Sequence, residues 1–122
     1  MNILTNLNGS ESEEETRDRS LTNEAQRVVN EIQFGIEKAY VSEKLVSNHS
    51  IAFINIRTLE KEEWCIQLTA NGYSIVGNTF DSVTMSESAE TYETVEALMN
   101  RISPKYMKLF NESVAAKLRQ FI

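Results

Sequence analysis

WCIQLTANGYSIVGNTFD, residues 64–81, is the stretch on which the fold turns. Trp64, Ile66 and Leu68 alternate with Cys65, Gln67 and Thr69, the period-2 pattern of a half-buried strand. Asn71-Gly72 supplies residues that accept positive φ, so Tyr73–Phe80 continues as the partner in a hairpin. Upstream, Ile51–Arg57 is rich in β-branched and aromatic residues, and Leu59–Glu62 reads as a polar turn behind it. Three antiparallel strands in a meander follow. Asp81–Glu90 is a polar loop with room for a short fourth strand at Val83–Met85.

Helical patterns flank this meander. From Leu21, with Thr22 or Asn23 as cap and Glu24 in the first turn, apolar residues recur at helical spacing. Leu21, Ala25, Val28, Val29, Ile32, Ile36, Ala39 and Tyr40 fall within an arc of roughly 120° on a helix. Phe34, Val41 and Leu45 lie opposite, so the helix is either wedged between two layers or shows one face to a partner. Thr91–Arg101 places Tyr92, Val95, Leu98, Met99 and Ile102 at i, i+3, i+4 spacing. Ser103-Pro104 then stops one helix and starts another. The final helix, Pro104 to about Gln120, spreads Tyr106, Leu109, Phe110, Val114, Leu118 and Phe121 over roughly 180°, wider than one packing stripe needs. The expected class is α+β: an N-terminal helix, a meander of three to four antiparallel strands, and two C-terminal helices packed on the sheet.

Composition bounds the function. The 122 residues suit one domain, and 41% hydrophobic with 25% charged residues lies near the globular average. A net charge of −6 argues against nucleic acid or an anionic membrane as the main partner. One cysteine, Cys65, and one histidine, His49, exclude a disulfide framework and a Cys/His zinc site. Apolar runs are too short for a transmembrane helix, and MNILTNLNGS lacks the regions of a signal peptide. Residues 1–20 carry five acids against two arginines and are expected to form a disordered tail, leaving 21–122 as a single domain. Ser10 and Ser12 precede glutamates, a context that acidophilic kinases favour, although a merely solubilising tail accounts for the same residues. Charge is segregated: residues 81–97 hold five acids and no base, whereas 101–120 hold five bases and one acid.

Catalytic readings find little to stand on. His49 sits in the polar run Ser47-Asn48-His49-Ser50, outside any strand–turn–helix or glycine pattern that activates a nucleophile. Cys65 reads as a packed thiol on a strand. Gly72 and Gly77 are isolated and build no phosphate cradle, and Glu62-Glu63 would face opposite sides of a strand. No catalytic, metal or cofactor site is expected.

Four blocks carry a family likeness: EAQRVVNEIQFGIEKAYVSEKL (24–45), IAFINIRT (51–58), WCIQLTANGYSIVGNTFD (64–81) and TYETVEALMNRISPKYMKLF (91–110). In this order and spacing the chain resembles the glycogen synthase kinase 3β interaction protein family. The resemblance implies a cytoplasmic, non-catalytic scaffold of Wnt-type signalling that binds the kinase through its C-terminal helix, as the kinase-binding helix of axin does, and restrains it. The residues so implied are Phe110, Val114, Lys117, Leu118 and Phe121. This chain departs from the family pattern at three of the matching positions, with Val114 for leucine, Lys117 for arginine and Arg119 for an acid. Lysine lacks the planar fork of arginine, and Arg119 reverses a charge. Vertebrate-like members also resemble A-kinase anchoring proteins, which hold the regulatory subunit of cAMP-dependent protein kinase with the first helix. The equivalent positions are Val29, Ile32, Gln33 and Ile36. Gln33 stands where a large aliphatic anchor is implied, and an unmet amide in an apolar groove costs about 1–3 kcal/mol, so weakened anchoring is expected. A domain of the same kind occurs in clustered-mitochondria proteins, linked to mitochondrial distribution and RNA-associated assemblies, which is the alternative reading.

Overall fold

In the computed structural model, which describes residues 21–85 and 90–121, the hairpin forms where Asn71-Gly72 places it. Strands β3 (Glu63–Thr69) and β4 (Gly72–Gly77) close through the pair Thr69↔Gly72. The glycine alone takes the left-handed backbone, at φ 124°, while Asn71 does not. Gly72 serves a second purpose. A Cβ there would lie 2.3 Å from the Tyr92 carbonyl oxygen, so only glycine lets the next strand come this close. That strand, β5 (Thr91–Tyr92), pairs with Tyr73 and Ser74. Ahead of the hairpin, β2 (Ala52–Thr58) turns into β3 through Lys61, whose φ is 73° and whose N–H donates to the Thr58 carbonyl at 2.9 Å. With β1 (Ile36–Val41) the sheet is five-stranded and wholly antiparallel, in the order β1-β2-β3-β4-β5.

Helix α1 occupies residues 21–32 and ends well short of the expected position. Its predicted stripe of Ala25, Val28, Val29 and Ile32 is buried, but residues 33–35 form a 3-10 turn and Ile36 begins a strand. The error has a physical cause. A β-bulge between Ile36 and Lys38 inserts one extra residue, so Ile36 and Ala39 face the same core three residues apart. Three-residue spacing is the mark of a helix, and here a bulged strand produces it. The supposed second apolar face therefore belongs to three structures: Phe34 in the turn, Val41 on β1 and Leu45 in the following loop.

Helix α2 (Val95–Ile102) also starts later than expected, because Thr91 and Tyr92 pair with β4. Thr94 caps it, its hydroxyl accepting from Ala97 N at 3.1 Å. Helix α3 runs Pro104–Arg119, with Pro104 at its first position and Ser103 as cap, as the sequence predicts. The three helices cover one sheet face, where Ile54, Ile56, Ile66, Leu68 and Ile75 meet Val28, Ile32, Leu98, Met99, Ile102 and Tyr106. Each such aliphatic side chain contributes about 1.5–3 kcal/mol on burial, which is what holds a helix as short as α1.

Contrary to the half-buried reading of β3, the other face is covered too. Phe53, Cys65 and Val76 form a small cluster under Leu45 and Ile51. Asp81, at φ 55°, accepts from Ser42 Oγ at 2.5 Å and Asn55 Nδ2 at 2.8 Å, and its own N–H donates back to Asn55 Oδ1 at 2.9 Å. These bonds hold the Asp81 carboxyl below its ordinary pKa and fasten the segment after β4 across the sheet. Val83–Met85 forms no strand; Thr84 and Met85 instead donate their amides to the single carbonyl of Val76. The expected acidic tail, with Ser10 and Ser12, lies outside the described residues. No helix among the described residues is long and apolar enough to cross a membrane.

Candidate docking surface

The start of α3 is tied down from two sides. Ser103 Oγ accepts from Tyr106 N at 3.1 Å and donates to Glu60 Oε1 at 2.7 Å, while Lys105 N donates to Glu60 Oε2 at 2.9 Å. A carboxylate from the β2–β3 turn thus takes the Lys105 amide and the Ser103 hydroxyl, while that hydroxyl takes the Tyr106 amide. Burial works against the Glu60 charge, but the bonds from Lys105 and Ser103 outweigh it and hold the carboxyl below its usual pKa. One turn on, the Tyr106 ring lies between Phe34, 5.1 Å away between centroids, and Phe110, stacked at 6.2 Å. Gly35 presses on the same ring. Burial, aided by Glu96 and Glu31, pushes the Tyr106 hydroxyl up to about 12.

Tyr106, Phe110, Val114 and Leu118 stand four residues apart, on one ridge of the helix. Their exposure climbs steadily along it: Tyr106 is 1% exposed, Phe110 is half-buried, Val114 is 40% and Leu118 61% exposed. Phe121, in the turn that closes the helix through Phe121 N donating to the Leu118 carbonyl at 3.1 Å, is 86% exposed. The ridge that anchors α3 in the core continues outward as an apolar stripe on solvent. Among the described residues from Asn111 onward, Ala115 alone is half-buried and the others are exposed. A helix of 16 residues is about 24 Å long, so roughly its outer half stands clear of the domain.

Charge on α3 is as lopsided as its packing. Arg27 pairs with Glu24 and Glu31, Arg57 with Glu37 and Glu63, Lys61 with Glu37, and Arg101 with Glu90. The side chains of Lys105, Lys108, Lys117 and Arg119, like those of Lys38 and Lys44, form no ion pair among the described residues, and Glu112 shares the side of α3 that carries Lys105 and Lys108. An exposed apolar stripe along a helix is the kind of surface that helix-in-groove recognition uses. Enclosed chemistry is not what it offers.

The kinase-binding candidates therefore divide. Val114, Lys117, Leu118 and Phe121 are exposed together at the outer end of α3, whereas Phe110 packs half into the core. The first-helix candidates are placed differently. Val29, Ile32 and Ile36 are buried, Ile36 on β1, and the Gln33 amide donates to the Ala39 carbonyl at 3.2 Å. What α1 presents to solvent is polar: Arg27 and Glu31, paired, with Gln26 hydrogen-bonded to Asn30 beside them. His49 lies in an exposed loop, and Cys65 is wholly buried with burial pushing its thiol pKa up. Among the described residues no group of three His, Cys, Asp or Glu side chains could hold a metal ion. The sequence set Phe34 on a second helical face, either wedged or shown to a partner, and the structure places it in the turn after α1, 51% exposed beside Tyr106; the glycine that follows it was the available signal that the helix had ended.

Comparison with known proteins bears on this surface. The profile of the GSKIP domain matches residues 21–121. A GSK3-beta interaction protein of Danio rerio is 36% identical over 97 residues, which cover 80% of this chain and 73% of that protein. A GSK3B-interacting protein of Homo sapiens is 33% identical over 112 residues, covering 92% of this chain and 78% of that one. A protein GSKIP homolog of Drosophila melanogaster is 40% identical over 85 residues, covering 68% and 71%.

Proposed function

The chain belongs to the GSKIP domain family, and from that premise we propose that it is a non-catalytic, cytoplasmic adaptor. It docks a glycogen synthase kinase 3-type Ser/Thr kinase through the outer end of α3 and restrains or redirects it. The observation that carries this reading is the single ridge from Tyr106 to Leu118, which is core at one end and solvent-exposed apolar surface at the other. A monomeric domain has no folding reason to extend an apolar stripe beyond its own core. Val114, Leu118 and Phe121 serve as the anchors, Phe110 positions the helix, and Lys117 meets the rim of the groove. Lys117 acts there as a point charge without the bidentate geometry of arginine, and Arg119 adds a second cation. Arg119, standing for an acid, shifts the preferred partner surface toward acidic groups.

Anchoring of the regulatory subunit of cAMP-dependent protein kinase has less support. Val29, Ile32 and Ile36 hold the sheet, so presenting them to a partner would mean opening the core. We therefore expect weak anchoring or none. Catalysis has no arrangement behind it either, since Cys65 is sealed on one sheet face and His49 stands on an exposed loop.

The test is retention of glycogen synthase kinase 3β by immobilised protein, with Leu118→Pro as the paired variant. Proline removes an N–H near the end of the helix and an anchor side chain at once. Binding is expected to be lost while the fold persists. Unchanged retention by the variant would end the docking-helix reading.

A further inference from the structure

The 3-10 turn between α1 and β1 is held firmly, yet it points an aromatic ring at solvent. Gly35 lies so close to Tyr106 that a Cβ would sit 2.5 Å from the Tyr106 Cδ2. Gln33 fastens the same turn by donating to the Ala39 carbonyl at 3.2 Å. Between these two fixed points stands Phe34, 51% exposed and 5.1 Å from the Tyr106 ring. Tyr106 in turn stacks on Phe110. Phe34 is thus continuous, through one shared ring, with the ridge that runs out to Leu118.

We infer that Phe34 is the second element of the docking surface, so that a partner groove seated on the α3 ridge also closes over the Phe34 ring. This rests on the proposed docking of a glycogen synthase kinase 3-type kinase, and it adds a residue outside the C-terminal helix and a direction for the partner. Two observations select the occupant. Phe34 is exposed at the root of the ridge and joined to Phe110 through the buried ring of Tyr106, and an exposed ring beside an apolar ridge calls for an apolar groove. Lys117 stands three residues from Val114, on the side of α3 that carries the ridge, and its ammonium forms no ion pair among the described residues, which calls for an acidic group at the rim of that groove. One helix alone can rotate and slide in a groove. A ring fixed beside its root sets both the rotation and the depth of engagement.

The experiment titrates the full chain into glycogen synthase kinase 3β, comparing wild type, Phe34→Gln, Phe34→Leu and Leu118→Pro. About half of the Phe34 surface is left to bury, so Phe34→Gln is expected to weaken binding about four- to twelvefold. Phe34→Leu, which keeps an apolar side chain, is expected to stay within about twofold of wild type. A probe independent of any destabilisation is 4-fluorophenylalanine at position 34. Its fluorine resonance is expected to lose its H2O/D2O solvent isotope shift when the kinase is added. Wild-type affinity in Phe34→Gln, or an unchanged isotope shift at position 34, overturns the inference even where Leu118→Pro abolishes binding and the docking helix stands. Absence of binding by wild type overturns both.

Discussion

Gly35→Ala isolates the contact that seats α3. The added Cβ would lie 2.5 Å from Tyr106 Cδ2, 3.1 Å from Cε2 and 3.3 Å from Cγ. Carbon atoms in comfortable contact are about 3.5–4.0 Å apart, so one element must move by about 1 Å. The ring has nowhere to go, being 1% exposed with Phe34 on one side and Phe110 on the other. Overpacking of this kind costs about 1–3 kcal/mol. The backbone at Gly35 does not take a positive φ, so alanine also gains about 0.4–1 kcal/mol from a less flexible unfolded chain. The net loss is centred at about 1.3 kcal/mol and reaches at most about 2.6, with a central shift of about 5–10 °C in Tm for a domain of this size. Urea unfolding reads it directly, and a second background gives it specificity. In Tyr106→Leu the ring edge is gone, and Gly35→Ala is expected to be neutral or stabilising there. An equal cost in both backgrounds, or a gain of stability in the wild-type background, would refute the clamp between this turn and α3.

Ser103→Ala removes the cap of α3 and the hydroxyl partner of Glu60, and is expected to lower stability by about 1–2 kcal/mol by urea unfolding; a change under about 0.3 kcal/mol would mean the Glu60 contact stands in for it. Alkaline stability carries a sign fixed by burial. Tyr73 and Tyr106 are both pushed up to about 12, so the folded chain keeps protons that the unfolded chain releases near pH 10. Their contribution is complete below about pH 10 and is lost as the pH rises toward 12. The urea midpoint is expected to fall between pH 9.5 and about 11.5, less steeply in Tyr106→Phe, with phenolate absorbance at 295 nm as the independent record. A midpoint that stays level over that range would contradict the burial of these hydroxyls.

The meander, the Ser103-Pro104 junction and the stripe of α1 were legible because each is a local signal: alternation, a cap with proline, a 3.6-residue period. The span from Ile36 to Val41 was not, because its bulge gives a strand the spacing of a helix. β5 was hidden for another reason. Two residues hold no periodicity, and Thr91-Tyr92 is a strand only because Gly72 lets it approach β4. The spare apolar surface of α3 was legible, since an apolar arc wider than one packing stripe is visible in sequence. Which members are core could not be read there, because Tyr106 and Leu118 share one ridge and differ only in how far the domain reaches along it. Phe34 was visible as an apolar residue off the main stripe, but its place beside Tyr106 was not, since that depends on where α1 stops.

The most direct measurement of the central claim is a calorimetric titration of the purified chain against glycogen synthase kinase 3β, with Leu118→Ala beside it. Leu118 is 61% exposed, so its truncation should leave folding stability within about 0.5 kcal/mol. Burying that exposed part in a groove contributes about 1–2 kcal/mol, which is about five- to thirtyfold in Kd. The predicted result is saturable binding at micromolar Kd or tighter, weakened by that factor in a variant that melts like wild type. A folded wild type that gives no binding heat and no saturation, or a Leu118→Ala variant that binds as tightly, would contradict the account.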